Sequence, residues 1–371
     1  MIEPEPLQQL DRTYVAWRGR KLSYFSGCDY FRLSTHPQVR QAAVVGLKRF
    51  GLNVAASRLT TGNHVLYAQL ENALARFFNV PAALLTPTGY VANFAVAQAI
   101  KGQFSHILID ELSHPSLQDA ALLLDCPVIS FQHCSVENVR SILARCGSGC
   151  RPILLTDGMF SRDGSVAPLR EYQAALPRDS MLLVDDAHGA GVLGKEGRGS
   201  IELERTSMRN VIQTITLSKA FGVYGGAILG SESLKKQVMA QSRLFIGSTP
   251  LPLPLVWAAR KALGIISRDS SLRSRLFTNA RHVRDRLSTA GLHLPQMPGP
   301  IIALEVIRSS MLAKVKKLLL NAGIYPPFII YPGGPTAGYF RFVISSEHKR
   351  QQLDNLASTL GRSASLLAPV A

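Results

Sequence analysis

The sequence predicts an α/β protein: a large domain on a mostly parallel sheet flanked by helices, a smaller C-terminal α/β domain, and a short N-terminal arm. Three observations carry this. Seven short apolar runs, "AALLT", "HILID", "PVISF", "RPILLTD", "MLLVDDAH", "VIQTITLS" and "GGAILG", alternate with helical patterns, as strands buried on both faces do. A shorter series of the same kind follows: "PIIALEV", the helical "SMLAKVKKLLLNAG", "YFRFVIS" and a last helix after "EHKRQQL". At 371 residues the chain is long enough for one large core and a lesser one. The expected spans are 1–45 for the arm, 46–260 for the large domain and 261–371 for the small one.

Taken in order, the arm contains "TYVAWRGRKLSYF", which reads as a β-hairpin turning at Gly19. "HVLYAQLENALARFF" places Leu66, Leu70, Leu74 and Phe77 or Phe78 at helical spacing, with Asn63 or Thr61 as the candidate cap. "LLTPTGYVANFAVAQAI" supplies a strand, a Thr/Gly turn and a helix starting near Tyr90. A long helix runs through "STPLPLPLVWAARKALGII" before the second series begins.

Composition narrows the function. The net charge of +16 suits anionic substrates. The basic residues are scattered, without the runs or aromatic interleaving of a nucleic-acid binder, so nucleic acid is not the expected partner. The odd, sparse set Cys28, Cys126, Cys134, Cys146 and Cys150 argues against a disulfide framework. Cys146 and Cys150 are close, but no histidine or further cysteine pair completes a zinc pattern, and no metal is expected. "MIEPEPLQQLDR" is unlike a signal peptide, and no apolar run approaches the ~18 residues of a membrane span. A reducing, cytoplasmic setting is the expectation.

In open parallel sheets, ligands bind at the carboxyl ends of the strands. Polar residues end the runs here: Thr86 to Gly89, Asp110 with His114 soon after, Asp157 with Ser161, Asp185 with His188, and Thr216 with Lys219. The stretch "VDDAHGAGVLG" also carries a G-x-G-x-x-G pattern at Gly189, Gly191 and Gly194. A dinucleotide loop would have those glycines open a helix. Here "KEGRGS" follows without apolar periodicity, and Asp185 and Asp186 would repel a pyrophosphate.

A different ligand fits. A cationic ring nitrogen wants a buried carboxylate, a phenolic oxygen wants an imidazole or hydroxyl donor, and an aldehyde condenses with a lysine amine. Pyridoxal 5′-phosphate (PLP) presents all three. Asp185, His188 and Lys219 supply the partners. Alone, Lys219 reads as a solvated lysine; with Asp185 and His188 upstream, it reads as a ligand lysine. Thr88, Gly89 and Tyr90, at the tip of a helix, would cradle the phosphate. Read alone, Thr88 is equally a simple helix cap.

The motifs "ASRLTTGNHVLYAQLE", "TPTGYVAN", "DELSHPSL", "TDGMFSRDGSVAPL", "VDDAHGAGVLGKEGRG" and "TLSKAFGVYGG", in this order, resemble those of the α-oxoamine synthases. These PLP enzymes condense an amino acid with an acyl-CoA thioester. The resemblance implies the aminotransferase-like fold type I. It implies Lys219 as the lysine that bonds the cofactor, Asp185 as partner of the ring nitrogen, and His188, with Ser161 beside it, at the ring oxygen. His114 is implied to stack on the ring, and Thr88, Gly89, Tyr90, Asp157 and Thr216 to line the site. "GSTPLPLP" resembles a segment that donates a phosphate contact from a second subunit, through Thr249 or Ser248, which implies a homodimer with shared active sites. Arg341 in "YFRFVISSEH" resembles the arginine that pairs with the amino-acid carboxylate, although alone it reads as a surface strand arginine.

The implied reaction is a decarboxylative condensation, with Lys219, once displaced, as the base for the α-proton. Alanine with a pimeloyl thioester, as in biotin synthesis, is the favoured pair, on CoA or an acyl carrier protein. Glycine with an acetyl group and serine with a palmitoyl group are the alternatives within the family. An aminotransferase is the alternative outside it. Three departures from the family pattern stand out: Cys28 where an asparagine is usual, Tyr67 where a histidine is common, and Asp157 where a glutamate is usual.

Overall fold

All seven apolar runs form strands of one sheet. In the computed structural model, which describes residues 6–147, 149–331 and 334–370, these are β1 (Ala82–Thr86), β2 (His106–Asp110), β3 (Val128–Phe131), β4 (Pro152–Asp157), β5 (Met181–Asp185), β6 (Val211–Thr216) and β7 (Gly226–Gly230). Their spatial order is β1-β7-β6-β5-β4-β2-β3. Every pair is parallel except those of β7, which runs antiparallel to both β1 and β6. The reason is length. Only Leu217 to Gly225 join β6 to β7, too few residues for the crossover that a parallel neighbour requires.

This sheet belongs to one of two compact units, His36–Ser161 with Val166–Ser270. Helices α1 (Pro37–Phe50), α2 (Val65–Phe78), α3 (Gly89–Ile100), α4 (Pro115–Ala121) and α5 (Val136–Cys146) precede or cross over between its strands. β1, β4 and β6 are buried along their whole length, which explains why they read as unbroken apolar runs. Gly46 of α1 lies so close to helix Leu253–Arg268 that a β-carbon would come within 2.8 Å of Pro254 Cα.

The α2 cap differs from expectation. His64, not Asn63 or Thr61, is the N-cap, and its Nδ1 accepts the Leu66 N–H at 3.2 Å. Asn63 Oδ1 instead accepts from Arg58 Nε at 3.1 Å. Phe78, not Phe77, is the buried residue closing the apolar stripe. α3 begins at Gly89, with Thr88 as its cap.

The second unit comprises the chain up to Thr35, Arg162–Ser165, and the chain from Ser271 onward. Its hairpin pairs Tyr14–Trp17 with Arg20–Ser23. Arg18 and Gly19 both take positive φ, 47° and 72°, as the tight primed turn of a two-residue hairpin demands. β8 (Ile301–Val306), β9 (Phe328–Ile329), β10 (Tyr339–Val343) and β11 (Leu367–Pro369) form an antiparallel sheet in the order β9-β10-β8-β11. Phe340, Phe342, Val283, Leu356 and Phe25 share its core.

Candidate active site

The carboxyl ends of β1, β4, β5 and β6 border a cavity of about 200 Å³. It is lined by Thr88, Gly89 and Tyr90 at the tip of α3, His114 and Ser116 at the start of α4, Asp157, Asp185, Ala187, His188, Thr216 and Lys219. Nine of the residues singled out in the sequence therefore meet around one space, at the edge where an α/β sheet places its ligands.

Asp185 ends β5 and is held on both oxygens. Oδ2 accepts from Asn93 Nδ2 at 2.7 Å and from Ser116 Oγ at 3.4 Å, and Oδ1 accepts from the Ala187 N–H at 3.1 Å. Asn93 is in turn oriented by Thr214, whose hydroxyl donates to Asn93 Oδ1 at 2.6 Å. That bond turns the amide NH₂ toward the carboxylate. Asn93, Ser116 and Thr214 were not singled out in the sequence. The available signal was an amide inside the apolar helix "YVANFAV", where a fully buried Asn requires a partner.

Asp157 lies beside Asp185 in register on the neighbouring strand. Its Oδ1 accepts the His114 N–H at 3.0 Å. Burial first, then the Asp185 charge, push the Asp157 carboxyl well above the usual carboxylate range, against the opposing pull of the His114 N–H and Lys219. His114 caps α4, and its Nδ1 accepts the Ser116 N–H at 3.2 Å. Burial lowers its pKa, with Asp185 raising it and Lys219 lowering it further, which favours the neutral form of the ring.

Lys219 sits in the short return from β6 to β7, half-buried. The return is closed by Leu217 N–H to Gly225 C=O at 2.8 Å, Val223 N–H to Leu217 C=O at 2.9 Å and Gly222 N–H to Lys219 C=O at 3.0 Å. These bonds fix the backbone from which the amine reaches the cavity. The α3 tip lines the same cavity, and there Thr88 Oγ accepts the Val91 N–H at 3.1 Å. Its hydroxyl is thus a cap, and the backbone beside it borders the cavity. A β-carbon on Gly89 would come within 2.9 Å of Thr216 Cβ, and one on Gly226 within 2.5 Å of the Gly89 nitrogen. Glycine lets the helix tip and two strand ends close on one another as an anion cradle.

A held carboxylate, an amine and a helix tip around one cavity match the three ends of PLP. The residues fit that cofactor. Ser161, half-buried, is not among the lining residues, nor are Ser248 and the exposed Thr249. Arg341 lies half-buried on β10 of the other unit, with its guanidinium 5.9 Å from the Tyr331 ring centre.

The G-x-G-x-x-G stretch has a different role from phosphate binding. Among the described residues no helix opens there until the four-residue Ser200–Leu203. Two of the three glycines instead make room for carboxylates: a β-carbon on Gly189 would lie 2.1 Å from Asp186 Oδ1, and one on Gly194 2.2 Å from Glu202 Oε2, while one on Gly191 would meet Ala220 Cβ at 2.9 Å. Asp186 is fully buried, and its Oδ2 accepts from the Ser200 N–H at 2.9 Å and Gln213 Nε2 at 2.8 Å. Tyr67, the departure in α2, is also buried, and its hydroxyl donates to the Leu251 C=O at 2.8 Å.

The aminotransferase class I and II family profile matches residues 28–360. The 8-amino-7-oxononanoate synthase of Thioalkalivibrio sulfidiphilus is 35% identical over 348 residues, covering 93% of this chain and 89% of the relative. That of Methylococcus capsulatus is 35% identical over 353 residues, covering 94% and 90%. Among solved structures, a serine palmitoyltransferase from S. paucimobilis with bound PLP and myriocin superimposes with a TM-score of 0.90 at 25% identity, covering 96% of this chain and 92% of that one. An 8-amino-7-oxononanoate synthase from Francisella tularensis gives 0.81 at 25% identity, covering 93% and 98%. The chain belongs to the aminotransferase class I and II family, and within it to the PLP-dependent α-oxoamine synthases.

Proposed function

We propose that the protein condenses alanine with a pimeloyl thioester and releases CO₂, the 8-amino-7-oxononanoate synthase reaction of biotin synthesis. The observation that carries this reading is the convergence of Asp185, Lys219 and the α3 tip on one cavity, in a chain similar over nearly its full length to enzymes of that name. Bound there, PLP supplies an electron sink for the charge left on the amino acid's α-carbon.

The chain's own residues do the rest. Asp185, oriented by Asn93 and Ser116, would hold the proton of the ring nitrogen. Gly89 and Tyr90 hold the phosphate through backbone N–H groups at the positive end of α3. His114 and His188 both line the cavity; His114 would cover the ring face and His188 would donate to the ring oxygen. Lys219 would anchor the cofactor through Nζ and, as the free amine, would take the α-proton at the same atom. Arg341 pairs with the substrate carboxylate until that group leaves as CO₂. Thr249, with Ser248 next to it, reaches the phosphate of a second copy, so the working form is a homodimer with shared sites. A cytoplasmic setting is consistent with the absence, among the described residues, of any helix long and apolar enough to cross a membrane.

The test supplies alanine with pimeloyl-CoA, glycine with acetyl-CoA and serine with palmitoyl-CoA in separate reactions, and measures free CoA and CO₂. Alanine with pimeloyl-CoA is expected to give both in equal amounts. Turnover of serine with palmitoyl-CoA instead would establish the reaction of the structurally similar serine palmitoyltransferases. Amino transfer to a keto acid without CO₂ would defeat the synthase reading. Lys219→Ala is expected to abolish covalent cofactor attachment: after borohydride reduction, mass spectrometry should find PLP on Lys219 of the parent and on no lysine of the variant.

A further inference from the structure

At the amino-terminal edge of the parallel sheet, opposite to the cavity, three side chains meet that the sequence keeps apart. His106 opens β2, Cys146 ends α5, and Cys150 stands just before β4. Because His106 pairs in register with Pro152, the imidazole is brought beside the cysteine two residues ahead of that proline. A histidine completing the C-x-x-x-C pair is thus supplied by a neighbouring strand, where no spacing in the chain would reveal it.

The geometry is that of a metal site. One imidazole nitrogen and the two sulfurs all lie within 4.8 Å of one another. Cys150 Sγ is 3.5 Å from His106 Nδ1. A thiolate at about 2.3 Å and an imidazole at about 2.0 Å from one tetrahedral zinc ion stand about 3.5 Å apart. Ser105 Oγ, fixed by the Arg151 N–H at 2.8 Å, lies 3.0 Å from Nδ1 and 3.7 Å from Cys150 Sγ. That hydroxyl holds the imidazole and the thiol beside one another. Cys150 is buried while His106 and Cys146 are partly exposed, which leaves a route from solvent. A divalent cation would bind both sulfurs as thiolates, releasing their protons to solvent.

A second cluster, Asp110, His133 and Cys134, is otherwise engaged. Asp110 already accepts from the Leu112 and Cys134 N–H groups, each at 2.9 Å, and pairs with His133 Nδ1 at 3.0 Å. We propose that His106, Cys146 and Cys150 bind a zinc-class divalent ion, independently of the PLP site.

The experiment uses untagged, reduced, full-length protein, stripped with a chelator and titrated with Co²⁺ alone. One equivalent is expected to bind, with a sulfur-to-cobalt charge-transfer band and the intense visible bands of a tetrahedral site, both erased by one equivalent of Zn²⁺. Cys146→Ser, Cys150→Ser and His106→Ala should each weaken cobalt binding by about 100-fold or more, since losing even an outer-shell partner costs 10- to 100-fold. Cys134→Ser should leave it unchanged. Circular dichroism checks that each variant is folded. In the unsubstituted protein, Zn²⁺ should also slow alkylation of Cys146 and Cys150. Absence of the charge-transfer band overturns the proposal, as does unchanged affinity in the three variants or loss of binding in Cys134→Ser. So does a Cys146–Cys150 disulfide formed in air with no cobalt uptake by the reduced protein.

Discussion

Asn93 is an amide in the middle of an apolar helix, and Asp185 is the reason for it. Removing the Asn93 donor leaves a buried carboxylate oxygen short of its nearest partner at 2.7 Å, which costs about 1.5–3 kcal/mol for a charged group. Asn93→Ala should therefore weaken PLP binding and lower kcat/KM by about 10- to 100-fold, read by equilibrium dialysis and steady-state kinetics. Unchanged values would mean that Asp185 is positioned by other groups. Asp186, next in the chain, behaves differently. Burial, only partly offset by bonds from Gln213 and Ser200, pushes it up to about 7. The folded protein thus binds this proton more tightly than the unfolded chain. Its contribution to stability is complete below about pH 4 and is lost as pH rises through 7. Asp186→Asn keeps an acceptor for Ser200 and Gln213 and removes the titration. Denaturant midpoints measured from pH 5 to pH 8 should fall in the parent protein and stay flatter in the variant; parallel curves would contradict this.

At the scale of elements, one short connection decides the site. The return from β6 to β7 is too short to cross over, so it becomes a tight antiparallel link carrying Lys219 above the sheet edge. β7 then starts at Gly226, pressed against the turn that begins α3. A methyl group there would meet Thr88 C at 2.4 Å and the Gly89 nitrogen at 2.5 Å, both backbone atoms that can move only together with the helix tip. Gly226→Ala is expected to destabilise the protein by about 1–3 kcal/mol and to weaken PLP binding at least tenfold. Thermal unfolding with and without added PLP measures both effects. A variant with the parent's PLP affinity would show that the α3 tip does not hold the phosphate. The glycine loop after β5 is an element of the same kind, shaped around the carboxylates of Asp186 and Glu202 rather than around a ligand.

For the whole molecule, the proposed shared sites make a test that single chains cannot pass. Lys219→Ala and Thr249→Ala proteins, each impaired alone, should regain activity when mixed and allowed to exchange subunits, because one of the two sites then has both residues intact. No recovery, with heterodimers confirmed by native mass spectrometry, would mean that Thr249 serves its own chain or none. Much of this architecture was legible beforehand. Unbroken apolar runs, a Gly turn and helical spacing are contiguous in the chain, so all seven strands, the hairpin at Gly19 and the motif residues Asp185, His188 and Lys219 could be read directly. The direction of β7 was also there to be read, in the length of the connection before it, but the run alone does not state direction. Other features have no local trace. Asn93 reaches Asp185, Tyr67 reaches the Leu251 carbonyl, and His106 joins Cys146 and Cys150 across intervals of sequence that no pattern spans. Local chemistry dictates which segments become strands and helices, because a segment's own periodicity sets the face it buries. Partners between segments depend on strand order and register, which the packing of the entire sheet selects.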